Sequence, residues 1–112
     1  MKKEMLWFFI TDEEMIDEKN HVNGLEGLSN CNSCTNFEFC HGIVIHVDQP
    51  ISSTDIINSA NLFANRLERN GIIAGHGVVL PERCGKHKSK FDIVLTSDDK
   101  YRQGRFIMEI WR

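Results

Sequence analysis

Apolar and polar positions alternate along this chain with two different periods. Met5–Ile10 is a continuous run of six apolar residues, rich in aromatics. That is strand length, and a run without polar interruption predicts a strand covered on both faces and central in its sheet. Gly42–Asp48 alternates instead. Ile43, Ile45 and Val47 point one way, and Val44, His46 and Asp48 the other. Pro50 closes this strand. The period then changes to that of a helix. Ser52 stands as N-cap with Asp55 at N3, and Ile51 and Ile56 occupy the positions of a hydrophobic staple. Ile56, Ala60, Phe63, Ala64 and Leu67 share one face, with Asn58, Asn61, Asn65 and Glu68 on the other. Arg66 and Arg69 suit the dipole of a last turn, and Gly71 supplies the stop. The spacing predicts a helix over about 53–70.

After the helix, Ile72–Leu80 reads as a strand interrupted by Gly75-His76-Gly77, where a bulge or a close backbone approach is expected. Pro81 ends it. Phe91–Thr96 alternates, with Phe91, Ile93 and Leu95 on one face, so the two strands and the polar loop between them read as a long hairpin. Ser97–Gly104 reads as a turn region. Arg105–Arg112 reads as a last strand with Phe106, Met108 and Ile110 on one face. A helix from Asp98 is the alternative, disfavoured because Gly104 in its interior would cost about 1 kcal/mol relative to Ala. Asp12–Lys19 is a short helix candidate with an acidic start. Residues 20–40 show neither period. The expectation is an α+β domain: a largely antiparallel sheet of about five strands, covered by one long helix, with an irregular cysteine-rich segment at 20–41. The βαββ order is compatible with a ferredoxin-like half, an analogy of order alone.

With 112 residues the chain makes one domain, 1–112. Its 41% hydrophobic and 26% charged residues are a globular composition, neither disordered nor collagen-like. The longest strongly apolar run is six residues, against about 20 for a spanning helix. Lys2 and Lys3 before it mimic a signal-peptide start, but Thr11-Asp12-Glu13-Glu14 follows at once. An intracellular, cytoplasmic, unprocessed protein with no membrane segment is expected.

The net charge of −3 hides an imbalance. Residues 1–56 carry three basic against ten acidic residues, a net of −7, and residues 57–112 ten against six, a net of +4. Such asymmetry either marks a bipolar surface or disappears when the halves interleave. The acidic stretch Asp12–Glu18 could meet a basic protein surface, or be an ordinary solvated face.

Cys31-Asn32-Ser33-Cys34 followed by Cys40-His41 gives a C-x2-C-x5-C-H pattern, and Cys84 stands apart in the basic loop. A C-x2-C turn places two thiolates on one side of a tight loop. Zinc takes four N or S ligands in a tetrahedron. Cys31, Cys34 and Cys40 would supply three, and Cys84, His41, His21 or His87 the fourth. Such a site would order a polar segment that lacks a core of its own, because metal-binding energy becomes folding energy. A structural rather than catalytic ion is expected. The spacing also resembles the C-x2-C-x5-C runs that hold four-iron clusters in RecB-like CRISPR-associated exonucleases and in the auxiliary-cluster domains of some radical enzymes. That resemblance covers Cys31–Cys40 only, without a nuclease core or a C-x3-C-x2-C radical motif. It implies iron–sulfur ligation by Cys31, Cys34, Cys40 and Cys84 as the alternative to zinc. Packed reduced thiols, disulfides and a redox pair are the remaining readings.

Arg83, Lys86, His87, Lys88 and Lys90 form the densest basic run, able to neutralise phosphates but without an aromatic residue to stack on bases. His46 and Asp48, with His76 between two glycines, could form an acid–base cluster or a second metal site. Three functions follow. The first is a small non-enzymatic binding or regulatory module with a structural metal, acting on a protein partner, as inhibitors do. The second is a nucleic-acid-binding domain using the 83–90 loop. The third is a small enzyme built on His46, Asp48 and His76. The oligomeric state is not legible.

Overall fold

The computed structural model describes residues 2–13, 21–29, 42–82, 93–95 and 100–112. Among these residues the fold is α+β, with a mixed sheet and two helices. The strands are β1 (Lys3–Thr11), β2 (His21–Asn23), β3 (Gly42–His46), β4 (Ile51–Ser52), β5 (Gly75–His76), β6 (Leu80–Pro81), β7 (Val94–Leu95) and β8 (Lys100–Trp111). The helices are α1 (Gly24–Ser29) and α2 (Ser53–Arg69). The main path of the sheet is β2-β3-β1-β8-β4, with β5, β6 and β7 also paired to β8.

β1 lies between β3 and β8, as its apolar run predicts. The sheet is not largely antiparallel, however. β1 and β3 are parallel, with Trp7 opposite Gly42 and Thr11 opposite His46, and β2 is parallel to β3. Parallel neighbours need a crossover of about a dozen residues or more. The stretch from Asp12 to His41 provides it, and it contains β2 and α1 where sequence periods show nothing. A helix over Asp12–Lys19 falls mostly outside the described residues.

β8 is the organising strand. It pairs antiparallel with β1 from Lys3 opposite Trp111 to Ile10 opposite Gly104. Ile107 faces Trp7 on one side and Leu80 on the other, so β5 and β6 occupy the edge of β8 away from β1. Among the described residues the expected hairpin is absent: β6 and β7 both pair with β8 rather than with each other. A twelve-residue strand offers a longer template than either short segment offers the other. Lys100–Gly104 is strand, not turn. Val94 faces Gln103 and Leu95 faces Tyr101, so Arg102 is an extra residue and the alternation of β8 reverses there. Tyr101 and Phe106, five positions apart, therefore both turn inward. Their rings pack edge-to-face with centroids 5.1 Å apart. A Cβ at Gly104 would lie 3.2 Å from Ile93 Cγ1, which keeps that position small.

α2 covers the inner face of the sheet. Ser52 caps it by accepting the Asp55 backbone N–H at 3.2 Å. Ile56, Ala60, Phe63, Ala64 and Leu67 are its buried residues. They meet Leu6, Phe8 and Ile10 of β1, Ile43 and Ile45 of β3, and Phe106, Met108 and Ile110 of β8. Phe8 and Phe63 stack edge-to-face at 6.2 Å. The helix ends in a Schellman motif: Gly71 N–H donates to Glu68 C=O and Ile72 N–H to Leu67 C=O, both at 3.0 Å. Gly71 has φ +72°, which a Cβ would strain.

The other face of the sheet carries Met5, Trp7, Phe9, Val44, Ile107 and Trp111. β1 is therefore not equally covered on its two faces. Leu6, Phe8 and Ile10 are fully buried, while Met5, Trp7 and Phe9 are partly exposed. The charge halves interleave. Arg102 Nε reaches Asp12 Oδ2 at 2.9 Å, Arg112 Nη1 reaches Glu4 Oε2 at 3.2 Å, and Lys3 Nζ reaches Glu109 Oε1 at 2.8 Å. Pairing β1 with β8 is what brings the acidic and basic halves together. Among the described residues no helix is long and apolar enough to cross a membrane.

Candidate interaction face

The residues singled out for metal binding, Cys31, Cys34, Cys40, Cys84 and His41, lie outside the described residues. So does the basic run Arg83, Lys86, His87, Lys88 and Lys90. In chain order the first three cysteines sit in the connection from α1 to β3, and Cys84 in that from β6 to β7. Among the described residues no group of three or more His, Cys, Asp or Glu could hold a metal ion.

The acid–base trio does not assemble. His46 Nδ1 and Asp48 Oδ1 are 3.7 Å apart, an ion-pair distance too long for a hydrogen bond, and Asp48 is 94% exposed. His46 stands opposite Thr11, on the outer face. His76 stands opposite Ile110, on the inner face, where it meets Glu68 of α2. Three strand spacings and seven residues of rise separate the two histidines, roughly 25 Å. They sit on opposite faces, so a shared reaction centre is excluded.

The structure instead draws attention to the segment from Ala74 to Glu82, which runs along β8. Ala74, Gly77 and Glu82 N–H groups donate to Trp111, Glu109 and Arg105 C=O at 2.6, 2.8 and 2.8 Å. His76 faces Ile110, but Leu80 faces Ile107, so one extra residue enters this edge between them. The bulge expected at Gly75–Gly77 is therefore present. A Cβ at Gly77 would lie 3.7 Å from Trp111 Cη2, an ordinary van der Waals contact.

The bulge decides which side chains face out. A slip of one residue turns every following side chain to the other face of the sheet. Val79 enters the core fully buried, while Val78 and Leu80 stand on the outer face at 71% and 58% exposure. They border an open groove of about 270 Å³ lined by Met5, Val78, Leu80, Ile107 and Glu109. Two cross-strand rows run through it, Met5–Glu109–Val78 and Ile107–Leu80, the second continuing to Trp7 opposite Ile107. Exposure climbs across the face toward this edge, from Val44 at 8% on β3. Beside the groove, the Trp7 indole N–H donates to Glu82 Oε2 at 3.3 Å, and Arg105 Nε lies 3.5 Å from the same oxygen.

Sequence reasoning missed this face because Ile72–Leu80 read as an interrupted strand whose side-chain faces were left unassigned. Its signal was present in Gly75 and Gly77. A bulge there fixes which of Val78, Val79 and Leu80 enters the core, and only one of them does. Comparison of the chain with protein-family models, curated proteins and solved structures finds no match.

Proposed function

We propose that this protein is a small non-enzymatic binding module that meets a protein partner through the outer face of its sheet, acting as a regulator or inhibitor by occupying that partner. The exposure of Val78 and Leu80 beside an apolar groove carries the proposal. Single exposed apolar residues are ordinary, but adjoining ones at the rim of a groove mark interaction surfaces. The groove is smaller than the roughly 300–1,000 Å³ usual for small-molecule pockets, and it is open. It suits side chains of another protein. On this face Glu109 is paired with Lys3 and Glu82 with Arg105, so the described residues offer no excess of positive charge there for phosphate.

The expected metal belongs to the same proposal. Zinc held by Cys31, Cys34 and Cys40, with Cys84 or His41, would be structural and serve the scaffold, not the chemistry. An iron–sulfur cluster on the four cysteines is the alternative.

A photo-crosslinking residue placed at position 80 in the native host tests the binding role. The expected result is a light-dependent adduct with one protein, whose purified form binds the wild type but not a Val78→Asp, Leu80→Asp variant. The variant must keep the wild-type unfolding midpoint. Equal binding by the folded variant, or no adduct, overturns the proposal.

A further inference from the structure

We infer that the partner segment received by this groove is basic as well as apolar: two neighbouring apolar side chains flanked by Lys or Arg, with Glu109 selecting the cation. The inference rests on the binding role proposed above and specifies the partner.

Three observations choose the occupant. The first concerns the sheet edge. Glu82 N–H donates to Arg105, so Glu82 and Leu80 point their backbone groups at β8, and the intervening Pro81 would point an N–H away from it. Proline has no N–H to offer there, and the Gly77 bulge breaks the line of the edge. Both devices blunt a sheet edge against strand addition. A partner must therefore dock on the face.

The second is size. The two rows span two strand spacings and two residues of rise, roughly 10 by 7 Å between side-chain axes. A stable interface with a second copy needs about 800 Å² on each partner. The groove is far smaller, and a short segment with two apolar side chains fills it.

The third is charge. Among the described residues, Glu109 is the one charged residue lining the groove, set between Met5 and Val78 in its row. Lys3 Nζ holds Oε1 at 2.8 Å, while Oε2 has no partner among the described residues. The Glu109 side chain is 43% exposed, so water reaches it in the free protein. An apolar segment laid over the groove removes this water, and a desolvated carboxylate requires a donor, best a cationic one. Lys3 is 54% exposed, and such a surface pair is weak enough to share its carboxylate with an incoming Lys or Arg.

Display of random twelve-residue peptides against the immobilised full chain tests this, with Leu80→Asp for counter-selection. Enriched peptides should carry two apolar residues beside Lys or Arg. Their affinity should fall about fivefold in Glu109→Gln, fall further in Glu109→Lys, and weaken with added salt. Trp7 fluorescence reads the titration. Enrichment of uncharged or acidic peptides that is lost in Leu80→Asp overturns the charge inference and leaves the binding face standing. Enrichment unchanged by Leu80→Asp, or none at all, overturns both.

Discussion

His76 of β5 donates its Nδ1–H to Glu68 Oε1 of α2, tying the last turn of the helix to the sheet edge that carries Val78 and Leu80. A carboxylate only accepts, so the ring must be the donor. Both side chains are partly buried, at 17% and 33% exposure, which limits competition from water. His76→Ala and Glu68→Ala should each destabilise the fold. A double-mutant cycle in urea should give a coupling of about 1 kcal/mol. Hydrogen exchange should also quicken at Gly77, whose N–H bond to Glu109 closes the next link of that edge. Strictly additive single-variant effects would show that the pair ties nothing.

The helix presents a sharp contrast between neighbours. Phe63 is fully buried and meets the Phe8 ring edge-on, whereas Leu62 beside it is 60% exposed. Phe63→Ala should cost about 3–5 kcal/mol, through lost transfer energy and the cavity left behind. Leu62→Ala should stay within about 0.5 kcal/mol of the wild type. Equilibrium denaturation of both variants checks the assignment of inner and outer helix faces.

Gly71 and Gly42 are constrained for different reasons, and their substitutions should separate. At Gly71 the backbone is left-handed and the space around it is open, so alanine should cost about 1–2 kcal/mol by backbone strain alone. Asn, which tolerates that conformation better, should recover part of the loss. At Gly42 a Cβ would lie 2.6 Å from Phe9 Cε2, because the Phe9 ring covers the glycine across the strand pair. Gly42→Ala should cost about 1–3 kcal/mol by overpacking. Phe9→Leu in the same chain should relieve it, while no ring change should rescue Gly71→Ala. Unfolding midpoints of the four variants decide the matter.

What could be read from the sequence divides along physical lines. α2 was legible because its apolar positions repeat on one stripe and both its ends carry caps, all local signals. β1 was legible as an unbroken apolar run of strand length, and β3 and the second half of β8 because their inner residues recur at every second position. Strand direction was not, since the parallel pairing of β1 with β3 depends on how residues between them cross, and no local period records that. The two bulges, at Gly77 and Arg102, were the other obstacle. Each shifts the alternation by one, so Tyr101 seemed to belong to a turn, and the faces of Val78, Val79 and Leu80 could not be assigned. The trio His46, Asp48 and His76 failed because strand faces and sheet ends, invisible in spacing, place its histidines far apart. The cysteine pattern is the reverse case, a signal carried by spacing alone.

That pattern makes a prediction independent of the sheet. If Cys31, Cys34 and Cys40 bind zinc with Cys84 or His41, the purified protein should contain about one zinc per chain and be colourless. Thiolate ligands must be deprotonated, so binding should release protons and weaken at acid pH. A strong chelator should lower the unfolding temperature, and returned zinc should restore it, because the ion stabilises only the folded chain. Cys31→Ser with Cys34→Ser should abolish both the zinc content and the chelator response, whereas Ser33→Ala should leave them intact. A brown sample with iron and sulfide in place of zinc would assign the cluster instead. Protein free of both metals, with a chelator-insensitive transition, would remove the site and leave the Val78–Leu80 face to stand on its own.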